Sequence, residues 1–318
     1  MGFLWSQLFV RLPYPTKSFA GQTIIVTGSN VGLGKEAARH LARLGASKVI
    51  LAVRNTAAGE EAKQDIEKTT RCAPSVIEVW PLDLMSFDSV KALATRASNL
   101  PRIDVLLENA GMAAIDFKLA EGHERSITVN VISTFLLAFL LLPKLKATAK
   151  EYKIEPRITI VSSGAHGHTT FLERTAPNVF ELIRDPSKAN MRDRYPLSKL
   201  LQLLTIHTIP PRLAGSGVIL NYVNPGLCHS KLSRDAPIMM EIFKFFLARS
   251  TEAGSRTLVA AAGAGPESQG KYIDDAKIDD GALSPFVRSE EGKETAEKIW
   301  NELREILEKI QPGVTKNI

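Results

Sequence analysis

The stretch that decides the fold is Thr23-Ile24-Ile25-Val26-Thr27-Gly28-Ser29-Asn30-Val31-Gly32-Leu33-Gly34. Its first four residues predict a buried strand, and a helical pattern over residues 31–44 follows the turn and stops at Gly45. Glycines between a strand and a helix let the backbone turn sharply and approach a phosphate closely. The helix N-terminus adds free N–H groups and a partial positive charge. This stretch therefore predicts a turn that binds the pyrophosphate of a dinucleotide.

The alternation of short apolar runs and longer helical patterns continues along the chain. Strands are predicted at residues 23–26, 48–53, 75–80, 103–107, 158–161, 218–223 and 271–273, and helices at 31–44, 86–98, 121–146, 193–213, 251–262 and 290–310. Continuous apolar strands that alternate with helices are typical of a parallel sheet covered on both faces. We therefore expect an α/β fold: a single doubly wound Rossmann domain with a seven-stranded parallel sheet flanked by helices.

The domain organisation follows from length and composition. The chain has 318 residues, 44% hydrophobic and 23% charged, which is ordinary for a globular protein. No shift in composition marks a second domain, so we expect one domain over residues 21–310, with an apolar tail or linker at 1–20 and a second tail at 311–318. Two long connections, 164–192 and 225–249, follow strands at one edge of the sheet. Long loops of this kind usually line a binding site.

Composition also excludes several classes of protein. The two cysteines, Cys72 and Cys228, rule out a disulfide framework and favour a reducing, cytoplasmic compartment. No histidine or cysteine spacing suits a metal, so no metal site is predicted. The net charge of +6 is spread along the chain, which argues against nucleic-acid binding. The longest apolar run, eight residues, is far shorter than the roughly 20 that span a membrane.

The first ten residues leave two alternatives open. They are apolar, with Trp5 and Phe9 among them, and they lack the basic start and cleavage site of a signal peptide. This segment either packs on the domain or lies in a membrane interface. The localisation that we expect is therefore cytoplasmic, with a peripheral membrane contact through residues 1–10 as the open alternative.

The end of the second strand bears on the choice of nucleotide. In NAD-binding folds of this kind an acidic residue about 20 positions after the glycines binds the ribose 2′-OH. Here no acid occurs from Lys48 to Asn55, and Arg54 stands in that place. A guanidinium suits a 2′-phosphate, with help from Lys35 or Asn30. The alternative is that Arg54 simply faces solvent; we predict NADP(H).

A tyrosine and a lysine suggest the chemistry. Tyr195 and Lys199 are four residues apart, which places them one turn apart on the same face of a helix. A free tyrosine has a pKa of about 10, and a neighbouring ammonium lowers the pKa of the phenol. Tyr195 can then exchange a proton with a carbonyl or alcohol oxygen while a nicotinamide exchanges a hydride.

The order of the motifs resembles the short-chain dehydrogenase/reductase family over residues 21–310. The matching motifs are Thr27-Gly28-x-x-x-Gly32-x-Gly34, Leu82-Asp83-Leu84, Asn109-Ala110-Gly111, Asn130, Val161-Ser162-Ser163, Tyr195-x-x-Ser198-Lys199 and Pro225-Gly226-x-x-x-Ser230. Within the family the chain is most similar to the retinol-dehydrogenase-like branch. It also resembles reductases of filamentous fungi that serve secondary metabolism.

This resemblance implies roles for individual residues. Ser163 would bond the substrate oxygen, and Asn130 would anchor a water beside Lys199 in a proton relay. Asp83 would accept a hydrogen bond from adenine, and the turn that ends at Ser230 would fix the nicotinamide carboxamide. The implied catalytic residues are Asn130, Ser163, Tyr195 and Lys199. The implied cofactor-binding residues are Gly28, Ser29, Asn30, Gly32, Leu33, Gly34, Lys35, Arg54, Asp83, Leu84, Asn109, Ala110, Gly111, Tyr195, Lys199, Pro225, Gly226, Cys228 and Ser230.

The chain also departs from the family pattern. Glu108 stands where a second asparagine is usual and either faces solvent or pairs with a base. The connection between Ser163 and Tyr195 is longer than usual. Three loop histidines either contact substrate or are bystanders: His166, His168 and His229. The methionine- and phenylalanine-rich stretch 237–247 suits an apolar substrate, a packed lid helix or a membrane contact.

The resulting expectation is an NADPH-dependent oxidoreductase that reduces the carbonyl of an apolar ketone or aldehyde, with Tyr195 as proton donor. The alternatives are an NADP-dependent alcohol or retinol-type dehydrogenase working in the oxidative direction, and a non-catalytic NADP-binding protein. The apolar helix around residues 133–145 lies either in the core or at a homodimer interface.

Overall fold

One large sheet organises the part of the chain that the computed structural model describes, residues 2–229 and 247–318. Its strand order is β10-β9-β8-β7-β4-β1-β2-β3. The strands are β1 Thr23–Thr27, β2 Lys48–Val53, β3 Ile77–Pro81, β4 Val105–Glu108, β7 Arg157–Val161, β8 Ile219–Asn224, β9 Tyr272–Asp274 and β10 Lys277–Ile278. A separate hairpin pairs β5 Leu119–Ala120 with β6 His123–Glu124. The predicted α/β fold is confirmed.

The number of strands differs from the prediction by one. Seven strands form parallel ladders, as expected, whereas β10 pairs antiparallel with β9 at the edge of the sheet. A strand of two residues carries no periodicity, which is why the sequence pattern missed it.

Helices cover both faces of the sheet. They are α1 Phe3–Phe9, α2 Gly32–Arg43, α3 Thr56–Thr70, α4 Phe87–Ser98, α5 Arg125–Ile127, α6 Thr134–Tyr152, α7 Val179–Ile183, α8 Met191–Thr208, α9 Thr251–Ala262, α10 Pro285–Arg288 and α11 Glu290–Ile310. The apolar side chains of α2, α3 and α9 pack on one face, and those of α4, α6, α8 and α11 on the other. The chain moves outward from β1 to β3 and then returns to β4 on the other side of β1. The strand order therefore reverses between β1 and β4. The crevice at the carboxyl ends of these two strands is the place where open α/β sheets bind ligands.

The long apolar helix is a core element. A helical stretch runs without interruption from Arg125 to Tyr152, with a π-helical turn at Thr128–Ser133. By length and composition it could cross a membrane, but 89% of its most apolar window is buried inside the domain. The helix predicted at 121–146 therefore starts later and ends later, because the β5–β6 hairpin takes up its first residues. The homodimer stays a prediction.

The connection between β7 and α8 is more ordered than expected. It contains 3-10 turns at Gly164–His168, Leu172–Thr175 and Pro186–Lys188, and the helix α7. The carboxylate of Glu302 on α11 accepts hydrogen bonds from the N–H groups of Val179 (2.8 Å) and Phe180 (3.2 Å). Each of these pieces is too short to show a helical period in the sequence. Of the second long connection, residues 230–246 lie outside the described residues, and with them Ser230 and most of the stretch 237–247.

Both terminal segments lie against the domain. Leu12 and Phe19 are buried, and Ala20 forms an isolated bridge with Ala46 in the turn before β2. At the other end the Asn317 amide donates to the Phe139 carbonyl of α6 (2.9 Å). These contacts attach residues 11–20 and the last residues of the chain to the same body as the sheet.

Candidate active site

The glycine turn after β1 opens onto the crevice. Gly32 has a φ of 64°, and a Cβ built there would meet nothing nearer than Thr251 Cγ2 at 4.0 Å. A Cβ at Gly34 would instead lie 2.7 Å from the Gly28 carbonyl, so only glycine allows this close approach. Helix α2 starts after Val31 without a side-chain cap, which leaves its first N–H groups available. An open backbone cradle before an uncapped helix fits the pyrophosphate of a dinucleotide.

Asn109 braces this turn from the end of β4. Its amide donates to the carbonyls of Thr27 (3.0 Å) and Gly28 (3.2 Å), and the Ala110 N–H donates to Thr27 Oγ1 (2.9 Å). The next residue, Gly111, would place a Cβ 3.9 Å from Lys199 Nζ. The Asn-Ala-Gly turn thus connects the phosphate cradle to the lysine of the catalytic motif.

The other residues expected around the nucleotide divide into two groups. Asn30, Leu33 and Asp83 are partly exposed near the carboxyl ends of β1 and β3, and the Asp83 carboxylate accepts from the Met85 N–H (2.9 Å). Two others point into the protein. The buried Ser29 hydroxyl donates to the Val26 carbonyl (2.7 Å), and the Leu84 carbonyl accepts from Ser133 (2.7 Å). Ser29 could therefore offer a ligand its backbone but not its hydroxyl.

The two candidate cations for a 2′-phosphate differ in their partners. Arg54 is exposed at the end of β2. Lys35 forms an ion pair with Asp65 of α3 (Nζ to Oδ2, 2.7 Å), and Arg39 contacts the same oxygen (2.6 Å). Hydrogen bonds from Lys35 and Arg39 lower the pKa of Asp65 to about 2. The Lys35 ammonium is thus already paired within the protein, which leaves the exposed Arg54 as the more accessible of the two cations.

Ser163 and Tyr195 lie together at the end of β7. A hydrogen bond with Ser163 lowers the pKa of Tyr195, but the larger effect is burial, so the phenol pKa is raised overall. The expected lowering by Lys199 does not occur in the free protein. The reason is geometric: Lys199 Nζ lies 5.9 Å from the centre of the Tyr195 ring and donates elsewhere.

Lys199 is buried with neutral partners. Its ammonium donates to the Val161 carbonyl (2.8 Å) and to Gln202 Oε1 (3.3 Å). Burial lowers the pKa of Lys199 to about 7, because no carboxylate among residues 2–229 and 247–318 offsets the lost hydration. Lys199 is therefore partly protonated near neutral pH.

Asn130 lies in the π-helical turn and uses its whole side chain as a brace. Its Oδ1 accepts from the Met112 N–H (2.9 Å), and its amide donates to the Met112 carbonyl (2.8 Å) and to Ser198 Oγ (2.9 Å). Its own carbonyl accepts from Gln202 Nε2 (2.9 Å). Gln202 is a residue that the sequence analysis missed, although its position three residues after Lys199 was the available signal.

His166 is a structural residue. Its Nδ1 donates to the Ser163 carbonyl (2.8 Å), and its Nε2 accepts from the Ser284 N–H (3.0 Å), an assignment that follows from the partners. The ring is buried, and burial lowers the pKa of His166, which favours the neutral form. His168 and His229 are exposed. Both ring nitrogens of His166 bond to the protein's own backbone, so it is a bystander and not a residue that contacts substrate.

Glu108 neither faces solvent nor pairs with a base. It is 4% exposed, and both of its carboxyl oxygens lack a hydrogen-bond partner among residues 2–229 and 247–318. Burial raises the pKa of Glu108 well above its usual value. Both alternatives were wrong, because the sequence does not show that this strand end is covered.

The turn assigned to the carboxamide is partly described. Gly226 has a φ of 75° and donates its N–H to Asn224 Oδ1 (3.1 Å), and the Cys228 thiol donates to the Pro225 carbonyl (3.4 Å). Burial raises the pKa of Cys228 to about 12, so the thiol stays neutral. Ser230 itself lies beyond the described residues.

A buried ion pair next to Tyr195 also escaped the sequence analysis. Arg194 Nε lies 3.7 Å from Glu124 Oε2, and both side chains are almost fully buried. Glu124 also accepts from the N–H groups of Ser126 and Ile127 at the start of α5. This pair joins the start of the helix that carries Tyr195 to the start of the helix that carries Asn130.

No group of three or more potential metal ligands occurs among the residues that the structure describes. The polar groups at the catalytic end come from Ser163, Tyr195, Ser198 and Lys199 with the amides of Asn130 and Gln202, and they lie beside the open phosphate cradle. These groups can bind an oxygen atom and exchange a proton with it.

Several known proteins are similar to this chain. A family model described as short chain dehydrogenase matches residues 22–172. The chain is 54% identical, over the full length of both proteins, to the short chain dehydrogenase/reductase dmxR8 of Cryptosporiopsis sp.. It is 45% identical to the short-chain dehydrogenase anuD of Penicillium roqueforti, covering 99% of this chain and 84% of that protein.

Solved structures share the fold at lower identity. The RhlG/NADP active-site complex of Pseudomonas aeruginosa has a TM-score of 0.64 at 23% identity, covering 82% of this chain and 97% of that one. The NADPH-bound carbonyl reductase from chicken fatty liver has a TM-score of 0.61 at 18% identity, covering 82% and 99%. The resemblance to the retinol-dehydrogenase-like branch stays a prediction. The relatives are fungal oxidoreductases, and this chain is a member of the short-chain dehydrogenase/reductase family.

Proposed function

We propose that the protein is an NADPH-dependent reductase of an apolar ketone or aldehyde. The observation that carries the proposal is that Ser163, Tyr195 and Lys199 come together beside the open glycine cradle at the switch point of the sheet. A fungal secondary metabolite intermediate is the substrate class that we infer from the resemblance of the motifs to reductases of filamentous fungi. Neutral Glu108 and the structural His166 take no part in this chemistry.

The proposed nucleotide site uses groups that the structure leaves accessible. The uncapped start of α2 and the backbone at Gly32 would hold the pyrophosphate, and Arg54 would bond the 2′-phosphate. Asp83 would face the adenine, while Ala110, Gly111 and the turn at Gly226 would lie against the nicotinamide end. The bound dinucleotide supplies the hydride.

The protonation state of Tyr195 is compatible with the proposed reduction. Burial raises the pKa of this phenol, so it is protonated at neutral pH, which is the form that a reduction needs. Ser163 and Tyr195 would bind the carbonyl oxygen, and Tyr195 would donate its proton to that oxygen as the carbonyl carbon is reduced. Lys199, when charged, would stabilise the phenolate that remains.

An assay of the purified protein with a panel of apolar ketones and aldehydes tests the proposal. We expect NADPH to be consumed in proportion to an alcohol product identified by mass spectrometry, with slower turnover for NADH. Tight NADPH binding without turnover on any carbonyl compound or alcohol would instead favour the non-catalytic alternative.

We further propose that α1 touches the surface of a phospholipid membrane. The helix turns its polar residues inward: Ser6 Oγ donates to Asp275 (2.8 Å), and Arg249 donates to the Ser6 carbonyl (2.6 Å). Four apolar side chains are more than half exposed: Leu4, Trp5, Leu8 and Phe9. Arg11 and Lys17 are the only charged residues from 2 to 20, which suits an anionic surface.

Flotation on phosphatidylcholine vesicles, with and without phosphatidylserine, tests this membrane contact. We expect the protein to float, more strongly with phosphatidylserine, and the double variant Trp5→Ser/Phe9→Ser to stay in the soluble fraction. The matched control is Leu119→Ser/Leu172→Ser, which removes two equally exposed apolar side chains elsewhere. Equal flotation of both double variants contradicts the proposal. We therefore propose that the protein is cytoplasmic and binds peripherally to membranes.

A further inference from the structure

The side-chain amide of Gln202 lies between two residues of the catalytic motif series. Its Oε1 accepts a hydrogen bond from Lys199 Nζ (3.3 Å), and its Nε2 donates to the carbonyl of Asn130 (2.9 Å). The side chain is 2% exposed. One amide therefore links helix α8 to the π-helical turn that precedes α6.

The contact with Asn130 determines which way the Gln202 amide faces. A carbonyl oxygen accepts hydrogen bonds only, so it selects the NH2 end of the amide and leaves Oε1 towards the ammonium. In the opposite orientation the NH2 group of Gln202 would face the Lys199 ammonium, and Oε1 would face the Asn130 carbonyl oxygen. The π-helical turn thus fixes an acceptor in front of Lys199.

Few groups stabilise the charge on Lys199. Its other acceptor is the Val161 carbonyl, which is also neutral. Among the described residues the titratable side chain that faces it is Tyr195, at 5.9 Å from the ring centre, and burial alone lowers the pKa of the lysine. Because no carboxylate shares this task, a single amide oxygen has a large influence on the ammonium.

We propose that Gln202 is a positioning residue that holds Lys199 in place beside Tyr195 and stabilises its charged form. The role in turnover rests on the proposed function, but the effect on Lys199 does not, because it concerns the free protein. Asn130 would then have two roles. Its side chain bonds Met112 and Ser198, and its backbone carbonyl orients the Gln202 amide.

Two substitutions move the charge balance in opposite directions. Gln202→Glu keeps an acceptor towards Lys199 but gives up the donor to the Asn130 carbonyl. Ionised beside the ammonium, its carboxylate adds a negative charge, so the pKa of Lys199 should rise by about one unit or more. Gln202→Met keeps the length but removes the acceptor, so the pKa of Lys199 should fall below its starting value of about 7. A residue that only filled space would not produce shifts of opposite sign.

Nitrogen-15 NMR of lysine-labelled free protein measures the titration, with Lys199→Met to identify the signal. The alkaline limb of kcat/KM for NADPH reports the same group in the free enzyme. It should move to higher pH in Gln202→Glu and to lower pH in Gln202→Met, with kcat about tenfold lower in the latter, as for a lost hydrogen bond to a charged group.

Thr205→Ala is the matched control, because its hydroxyl bonds the Leu201 carbonyl one turn further along α8. It should leave the Lys199 titration unchanged. If Gln202→Met does not fold, the upward shift of the Lys199 titration in Gln202→Glu still tests the inference. An unchanged Lys199 titration in Gln202→Glu would overturn the inference. Opposite shifts in a protein that reduces no carbonyl would support the inference and refute the proposed function.

Discussion

Tyr195→Phe should lower kcat for carbonyl reduction by about 10²–10⁴-fold, the usual contribution of a positioned proton donor. Phenylalanine keeps the ring and removes only the hydroxyl that gives the proton. The dissociation constant of NADPH should therefore change little. Steady-state kinetics with the best substrate of the carbonyl panel, together with a fluorescence titration of NADPH, measures both quantities.

Tyr222→Phe is the matched control for this prediction. Tyr222 is a fully buried tyrosine whose hydroxyl bonds His207 Nε2 (2.8 Å), further along α8 than Lys199. Its loss should affect stability modestly and leave kcat close to that of the unaltered enzyme. If Tyr195→Phe kept more than about a tenth of kcat, another group would have to be the proton donor, since even weak general acids contribute more.

Arg54→Leu should lower kcat/KM for NADPH by roughly 10- to 150-fold and leave the value for NADH almost unchanged. A hydrogen bond to a charged group contributes about 1.5–3 kcal/mol, and each 1.36 kcal/mol corresponds to a factor of ten. Only NADPH has the 2′-phosphate that Arg54 would bond. The ratio of the two kcat/KM values therefore isolates the contribution of this one side chain.

Two further variants make the nucleotide prediction specific. Lys35→Met should have a smaller effect on the ratio, because the Lys35 ammonium is already paired with Asp65. Arg304→Leu, which removes an exposed arginine from α11, should have none. Equal losses with NADPH and NADH in Arg54→Leu would show that the arginine does not read the 2′-phosphate.

Sequence patterns predicted the parts of the site that local spacing encodes. The glycine turn depends on a strand, three glycines and a helix that follow one another directly, and Tyr195 and Lys199 depend on one helical turn. In each case the interacting groups come from consecutive elements or from a motif whose geometry recurs.

What the sequence did not predict depends on contacts between distant segments. Gln202 becomes informative only when Asn130, 72 positions earlier, presents its carbonyl to it. The partners of His166 include Ser284, which is 118 positions away. The burial of Glu108 and the direction of the Lys199 ammonium likewise follow from packing. For the same reason the pKa of Tyr195 was expected to fall and is instead raised, since the desolvation of a side chain cannot be read from spacing.

The segment between α1 and β1 connects α1 to the end of the molecule that carries the glycine turn. Tyr14 packs edge-on against His40 near the C-terminal end of α2 and lies under the guanidinium of Arg43, while Arg256 of α9 donates to the Leu12 carbonyl (2.9 Å). A chain shortened to begin at residue 21 would uncover the surfaces that Leu12 and Phe19 cover. Truncation would therefore disturb α2, the helix proposed to bind the phosphates. Point substitutions on the exposed face of α1 are the cleaner way to test the proposed membrane attachment separately from catalysis.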